Sequence, residues 1–200
     1  MARRTVRFST ELTAISPPTA PDLPTKGDEI IPKIEDVHDI LKFKSHPHLT
    51  FDVSKDPATV RLLSEALADG MRGEAATTPA VPYVKLVSKF LPWEIEIHSS
   101  SSPDGQHSFV SVADVLGGLY CALRIQVTNG EFSECDKQED VTAAFKERCR
   151  LVGVEQGDEA AESQRRKGIR RVDFLRGNLK FCGLTAVAQS PRQLKFSVMK

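Results

Sequence analysis

The sequence has no excess of charge of either sign and no long apolar run. Its 200 residues include 27 lysines and arginines against 27 aspartates and glutamates. This balance argues against a dedicated binder of nucleic acid or of membrane surfaces as a whole. No apolar stretch approaches the roughly 18–20 residues of a membrane-spanning helix. A hydrophobic content of 40% is typical of a soluble globular protein, and the length suits one domain with a tail.

Cysteine is scarce, and sequence motifs for cofactors are missing. The four cysteines form no Cys-x-x-Cys pair, and no cysteine or histidine set has the usual zinc spacing. Neither a P-loop nor a Gly-x-Gly-x-x-Gly turn after a strand is present. Arg3 and Arg4 are not followed by the apolar segment of a secretory signal. We therefore expect reduced, partly buried thiols, no cofactor, and a cytoplasmic or nuclear protein.

Residues 1–36 are predicted to be a disordered tail, because five prolines interrupt every possible element. One short motif stands out in this tail. Arg4, Val6 and Phe8 fit the R-x-V-x-F pattern by which many proteins dock on protein phosphatase 1, with the valine and phenylalanine in pockets. The tail is therefore either a docking segment for a partner of this type or a plain disordered basic end.

Residues 37–200 are predicted to form a single domain of the α+β class. The main predicted elements are strands at Tyr83–Val87 and Trp93–Ile97, a helix at 111–124, a second helix that ends at Gly153, and a strand at Leu194–Val198. Because strands come before and after the helices, we expect a mainly antiparallel sheet with the helices packed on one face.

Capping and breaker residues predict the details of these elements. Capping boxes are expected where a hydroxyl or carboxylate precedes an acidic residue by three positions: Ser111 with Asp114, Thr128 with Glu131, and Asp136 with Glu139. Gly117 and Gly118 each cost about 1 kcal/mol in a helix interior, so either another element approaches that backbone closely or the helix is weak there. Four more segments are predicted: a short helix at 37–41, a strand at 49–53, a helix from Asp56-Pro57, and a charged loop at 154–168.

Gly177-Asn178 is predicted to be the turn of a β-hairpin, because glycine takes the positive φ that such turns need. Pairing outwards from this turn places Phe174 opposite Phe181 and puts Val172 on the same face. A cross-strand aromatic pair contributes about 0.2–1 kcal/mol, which fixes a register without folding a domain. We expect the rest of the chain to be organised around this hairpin.

Four segments then indicate a family. They occur in a familiar order and are Leu91–Ile95, Ser111–Leu116, Gly168–Leu175 and Gly183-Leu184. Together they resemble an uncharacterised domain of basidiomycete fungi, domain of unknown function 6699. The likeness covers roughly residues 37–198, and Arg171–Leu175 is its most specific part. Such domains often end with a tryptophan in the last strand, where this chain has Phe196. The resemblance implies the same fold and a fungal, intracellular origin, and it carries no established activity.

Three sets of residues are candidates for catalysis or metal binding. Glu94 and Glu96 lie on one strand face at a spacing suited to a carboxylate pair, but such alternation is normally a solvated face. The segment 98–107 contains hydroxyls, imidazoles and a carboxylate, yet its flexible composition and the lack of a Gly-x-Ser-x-Gly elbow disfavour a triad. His38, His46 and His48 lack zinc spacing, so exposed histidines are the favoured interpretation.

The strongest charge cluster is a basic run near the carboxy terminus. It contains Arg165, Arg166, Lys167, Arg170 and Arg171. Residues 131–162 carry ten acidic and four basic side chains, whereas residues 163–200 carry one acidic and ten basic ones. The run is therefore a solvated flank neutralised by the acidic stretch, an import or protein-docking patch, or a site for nucleic-acid phosphates. It lacks the interleaved aromatics of a single-strand binder.

Three functional hypotheses follow. The leading one is a non-catalytic protein-interaction module with an amino-terminal docking tail. The second is a nucleic-acid-binding protein that uses the basic run, and the third is an enzyme of unrecognised type. The first rests on the missing catalytic motifs and on the motif at Arg4–Phe8.

Overall fold

The computed structural model describes residues 32–44, 49–62, 71–100 and 109–200. Its strands are β1 (Asp36–Val37), β2 (Leu49–Thr50), β3 (Arg61–Leu62), β4 (Thr77–Thr78), β5 (Tyr83–Val87), β6 (Ile95–His98), β7 (Lys180–Ala186) and β8 (Gln193–Met199). Its α-helices are α1 (Val112–Leu123), α2 (Asn129–Ser133), α3 (Gln138–Gln156) and α4 (Asp158–Arg166). Short 3-10 helices occupy Pro57–Thr59, Met71–Gly73 and Arg171–Leu175.

The central sheet has four strands in the order β6-β5-β8-β7. β5 pairs with β6 and β7 with β8 in antiparallel fashion, while β5 and β8 run parallel. Two antiparallel two-stranded ladders, β1-β4 and β2-β3, accompany this sheet. The predicted α+β class with a mainly antiparallel sheet is therefore confirmed, and the strands predicted at 83–87, 93–97 and 194–198 are present within a residue or two.

One face of the sheet is apolar and buried, and the other is polar. The buried side chains include Val84, Leu86, Ile95, Ile97, Leu194 and Phe196. On the opposite face Glu94 contacts Lys85 at 3.4 Å and Gln193 at 2.8 Å. Glu96 contacts His98 at 2.9 Å. This period of two is what a half-buried strand requires, because successive side chains point to opposite faces.

Helix α1 packs on β6, and its sequence explains both its start and its close approach to the sheet. Ser111 Oγ accepts the Asp114 N–H at 3.1 Å, and the Asp114 carboxylate accepts the Ser111 N–H at 2.9 Å, which confirms the predicted capping box. A Cβ on Gly118 would lie 3.0 Å from Ile97 side-chain atoms, whereas one on Gly117 would meet nothing within 4 Å. Close approach to β6 therefore explains Gly118 and leaves Gly117 unexplained.

Replacing Gly117 by alanine is expected to raise the free energy of unfolding by about 0.5–1 kcal/mol, because the methyl group enters open space and glycine disfavours a helix interior. The matched variant Gly118→Ala should show no such gain, since Ile97 must move to admit the methyl group. Urea unfolding followed by far-ultraviolet circular dichroism measures both. An equal gain at the two positions would contradict the packing described above.

The predicted hairpin is wrong in its first arm. Residues Arg171–Leu175 form a 3-10 helix, which Arg176 ends in the left-handed conformation (φ 53°). Phe174 packs edge-on against Trp93 with ring centroids 4.8 Å apart. Phe181 instead stacks with Phe196 at 6.0 Å. The two phenylalanines are buried as expected, but they belong to different parts of the core, because Asp173 draws its segment into a helical turn as described below.

Several other predicted details are wrong. Residues 39–41 form a turn rather than a helix, and Asp56-Pro57 begins only a short 3-10 helix. The box at Asp136 and Glu139 is absent, since α3 begins at Gln138 without a side-chain cap. Gly153 lies inside α3, where it lets Ala161 of α4 approach; a Cβ there would lie 3.2 Å from the Ala161 Cβ.

The predicted charged loop at 154–168 contains helix α4. Acidic Asp158 and Glu159 lie in its first turn and basic Arg165 and Arg166 in its last turn. Charges placed in this order stabilise a helix through its dipole. Glu162 adds a pair with Arg165 at 3.1 Å, three residues along the same face. The position of acidic and basic residues along α4 therefore explains this helix. The prediction of a loop relied on hydrophobic periodicity, which does not take charge into account.

Candidate functional site

The main candidate site is a groove between α1, α3 and the turn that follows β2. We call it the α1–α3 groove; its volume is about 520 Å³, and its principal residues are Val53, Tyr120, Leu123, Arg124, Arg148, Leu151, Arg170 and Val172. Val53, Leu123 and Val172 are buried and give the groove an apolar floor. Leu151 at its rim is 43% exposed, so an apolar side chain lies open beside charged groups.

A buried ion pair forms one wall of the groove. Arg148 donates from Nε and Nη2 to the two carboxylate oxygens of Asp173, each at 2.8 Å. The side chains are 15% and 2% exposed. Arg148 also donates to Gln164 Oε1 at 3.0 Å and to the Gly168 carbonyl at 3.1 Å. The pair therefore ties α3 to α4 and to the 3-10 helix at Arg171–Leu175.

One backbone hydrogen bond and one electrostatic effect support the Arg148–Asp173 ion pair. Asp173 also accepts the backbone N–H of Arg170 at 2.8 Å, so its carboxylate begins the 3-10 helix as a cap does. Burial alone would lower the pKa of Arg148, but the hydrogen bonds and charge of Asp173 outweigh it and raise that pKa above its ordinary value. The guanidinium is therefore charged, and the helical turn replaces the predicted strand because it brings Asp173 to Arg148.

Arg124 and Arg170 add two further guanidinium groups to the groove. Arg124 lies over the Tyr120 ring, 4.7 Å from its centroid. Arg170 is half-buried, and its backbone pairs with Gln126 just after α1. Within the part of the chain that the structure describes, neither guanidinium has an acidic partner within 4.0 Å. The groove thus combines apolar surface with two guanidinium groups that form no ion pair with the described residues.

A second hollow of about 550 Å³ lies beside Trp93 and Phe90. Trp93 donates its indole N–H to Glu131 Oε1 at 2.8 Å, and Arg171 lies over the indole ring at 4.7 Å. Glu131 also accepts the Thr128 N–H at 2.8 Å, which confirms the predicted capping box of α2. Because these contacts hold α2 against the core, this hollow is explained by packing, and we favour the α1–α3 groove as the site.

The basic run is divided among three places. Arg165, Arg166 and Lys167 are exposed at the end of α4, where Arg165 and Arg166 contact Glu162 at 3.1 and 3.9 Å. Arg170 faces the α1–α3 groove, and Arg171 stacks on Trp93. Binding of nucleic acid by these residues stays a prediction.

The remaining predicted candidates are dispersed or lie outside the described residues. The docking motif Arg4, Val6 and Phe8 lies outside them, as do His46, His48 and residues 101–108, and the predicted docking stays a prediction. His38 contacts Glu74 at 2.9 Å. In the described ranges no group of three or more metal-ligating side chains is found, and no helix is long and apolar enough to cross a membrane.

The four cysteines are all free thiols, and the expectation that they are partly buried holds for all except Cys121. Cys121 is exposed, Cys135 is half-buried, and Cys149 and Cys182 are buried. Burial raises the pKa of the Cys149 and Cys182 thiols. High pKa values reduce the thiolate fraction at neutral pH, so these two cysteines are suited to packing rather than to nucleophilic chemistry.

The sequence predictions missed the central residues of the groove, although one signal was present. Arg148 lies on the same helical stripe as Val141 and Ala144, and Asp173 lies inside the apolar run Val172–Leu175. A charged residue on a stripe that must be buried needs a partner of opposite sign. Arg148 and Asp173 are two such charges, and pairing them would have located one wall of the site. Arg124 gives no comparable signal.

Comparison with known proteins identifies a family and no function. A family model described as a family of unknown function (DUF6699) matches residues 49–193, well over half of the chain. The residues of the α1–α3 groove all lie in this range, and the docking motif at Arg4–Phe8 lies outside it. No curated protein and no solved structure matches the chain significantly. The fungal, intracellular origin implied by the resemblance stays a prediction.

Proposed function

The chain belongs to the DUF6699 family, whose description assigns no function, and we propose that it is a non-catalytic protein-interaction module that binds a short segment of a partner protein in the α1–α3 groove. The segment carries an apolar side chain, which contacts Leu151 and the apolar floor, next to an anionic group, which contacts Arg124 and Arg170. The observation that carries the proposal is this pairing of open apolar surface with unneutralised guanidinium groups.

The chemistry of the groove supports binding rather than catalysis. Its described lining contains no histidine or cysteine, and these are common general bases and nucleophiles. Asp52 accepts both the hydroxyl of Ser54, at 2.6 Å, and its backbone N–H, at 2.9 Å, so this carboxylate serves to hold the turn after β2. The Asp173 carboxylate is held by Arg148 and by the Arg170 N–H. The polar groups of the groove are thus suited to recognition.

The geometry of the groove favours a peptide segment as occupant. Apolar anchors in pockets surrounded by polar groups dominate the energetics of protein interfaces, and arginine is enriched in them. The Lys55 Nζ lies 3.3 Å from Glu155 Oε1, which joins the turn after β2 to α3 across one part of the groove. This contact is exposed at both side chains, so it can open to admit a chain at little cost.

Selection of a phage-displayed library of random peptides on the full chain tests this proposal. We expect peptides that contain a leucine or phenylalanine near an acidic residue, and their binding is measured by fluorescence polarisation with synthetic copies. Leu151→Asp should weaken binding by about tenfold or more, because it places a charge against an apolar anchor.

Val154→Asp is the matched control. Val154 lies three residues further along α3, is 74% exposed, and does not line the groove, so this variant should bind as the unmodified chain does. The proposal fails if no peptide is enriched over uncoated support, or if Leu151→Asp and Val154→Asp affect binding equally.

A further inference from the structure

Three arginine side chains line the α1–α3 groove with Tyr120, and within the described ranges one carboxylate, that of Asp173, forms an ion pair with them. Asp173 holds Arg148 by two hydrogen bonds of 2.8 Å. The Arg171 N–H donates to the Ile125 carbonyl at 3.0 Å and Gln126 pairs with Arg170. These contacts hold the segment after α1 beside the segment that carries Arg170. The backbone therefore fixes Arg124 and Arg170 next to the Arg148–Asp173 pair.

The other charged side chains that line the groove have contacts of their own. Glu147 accepts two hydrogen bonds of 2.8 Å from Arg150, which does not line the groove. Glu155 is paired with Lys55. In the turn after β2, Asp52 accepts the Ser54 N–H at 2.9 Å and its hydroxyl at 2.6 Å, and Asp56 accepts the Ala58 N–H at 2.8 Å. Among the described residues, Arg124 and Arg170 are the two arginines of the groove whose guanidinium groups have no carboxylate within 4.0 Å.

We propose that Arg124 and Arg170 form a binding site for a phosphate monoester carried by a side chain of the partner segment. This inference rests on the proposed peptide function of the groove. A phosphate monoester carries a charge of about −1.5 to −2 at neutral pH and three acceptor oxygens. That charge matches two guanidinium groups, whereas a single carboxylate would leave one of them unneutralised. Arginine clusters recognise phosphorylated peptides in this way, and guanidinium groups bind phosphate through paired hydrogen bonds.

The surroundings of Arg170 support binding of an anion. Burial, together with the neighbouring guanidinium groups of Arg148 and Arg124, lowers the pKa of Arg170 from its ordinary value and outweighs the opposite effect of Asp173. The groove therefore holds like charges close together, and a bound dianion would relieve their repulsion. Arg124 lies over the Tyr120 ring, 4.7 Å from its centroid, a cation–π contact that does not use the hydrogen-bond donors of a guanidinium group.

Four degenerate peptide libraries test the inference. Each has leucine beside one fixed position, and that position is phosphoserine, phosphotyrosine, serine or glutamate. Binding to the full chain is measured by fluorescence polarisation. We expect at least one phosphorylated library to bind about tenfold or more tightly than the serine and glutamate libraries. The two phosphorylated libraries distinguish an alkyl from an aryl phosphate as the source.

Variants test whether the preference for phosphorylated peptides depends on Arg124 and Arg170. The double variant Arg124→Gln and Arg170→Gln should remove the preference for phosphate, while Arg124→Gln alone, at an exposed position, should reduce it. The double variant Arg165→Gln and Arg166→Gln removes the same charge outside the groove and should keep the preference. Circular dichroism confirms that each variant is folded.

The outcomes separate the two proposals. If the serine library binds as tightly as the phosphorylated ones and Leu151→Asp weakens all of them, the phosphate site is wrong and the peptide groove stands. If no library binds, both are wrong. If the preference depends on Arg165 and Arg166 instead, the inference is overturned in favour of the end of α4. If the preference for phosphorylated peptides is lost only in the variants of Arg124 and Arg170, the phosphate site is supported.

Discussion

The Asp173→Asn variant is expected to lose about 3–5 kcal/mol of its free energy of unfolding, because it leaves a buried arginine without its counter-charge. Asp173 is 2% exposed and accepts three hydrogen bonds of 2.8 Å, two from Arg148 and one from the Arg170 N–H. Asparagine keeps the shape of the side chain, but its amide places donors where an acceptor is required. The loss in free energy of unfolding therefore measures the lost charge and hydrogen bonds and not the creation of a cavity.

Glu147→Gln provides a matched control for this variant. Glu147 also accepts two hydrogen bonds of 2.8 Å from an arginine, but its side chain is 54% exposed. Exposed ion pairs contribute about 0–1 kcal/mol because water screens them. Urea unfolding of both variants, followed by tryptophan fluorescence and circular dichroism, measures the difference. Similar small losses in the two variants would show that the Arg148–Asp173 pair does not hold the groove together.

The Gly183→Ala variant is expected to lose about 3–5 kcal/mol as well, from two physical causes. Gly183 has φ 122°, which costs an ordinary residue about 1–3 kcal/mol. A Cβ there would also lie 2.5 Å from the Cα of Phe43 and 2.6 Å from its N, and overpacking of this kind costs about 1–3 kcal/mol. Because these atoms are backbone, the segment Lys42–Phe43 would have to move away from β7.

That movement would expose the edge of the sheet. The Leu184 N–H donates to the Leu41 carbonyl at 2.7 Å, and the Phe43 N–H donates to the Leu184 carbonyl at 2.9 Å. Segment 41–43 therefore covers the outer edge of β7, which would otherwise present unpaired backbone groups. We expect Gly183→Ala to aggregate more readily than the unmodified chain, as measured by light scattering during unfolding.

Gly177→Ala separates the two causes. Gly177 has φ 76°, but a Cβ there would meet nothing within 4 Å. It should therefore lose only about 1–2 kcal/mol, the cost of the left-handed conformation alone. Equal losses at Gly177 and Gly183 in urea unfolding would mean that contact with Phe43 does not matter.

The sequence was most informative where a local signal and a buried pattern agreed. In α1, a capping box and one apolar stripe coincide, and both are present in the structure. β5 and β6 also follow their alternation of apolar and polar residues. The segment Arg171–Leu175 gave conflicting signals, because its apolar residues fit a strand while its buried aspartate required a partner that lies 25 residues away. The long-range charge pair prevailed over the local strand pattern.

The α1–α3 groove shows more clearly that local sequence patterns do not predict contacts between distant segments. Arg170 was a candidate from the basic run, but its separation from Arg165 and Arg171 depends on how α4 and the 3-10 helix are oriented. Arg124 and Tyr120 gave no signal of their own, since their role depends on the segment that pairs with the end of α1. Positions of this kind follow from contacts between distant segments, which residue periodicity does not encode.

The sequence by itself therefore determined the class of the fold, the main strands and the caps of α1 and α2, because these depend mainly on patterns of residues that are close in the chain. Only the tertiary structure decided that Asp173 meets Arg148, that the basic run divides, and that Arg124 and Arg170 line one groove without an ion pair to the described residues. A buried charge without a partner is strongly destabilising, and the partner of Asp173 lies 25 residues away, so only the folded chain brings the two together.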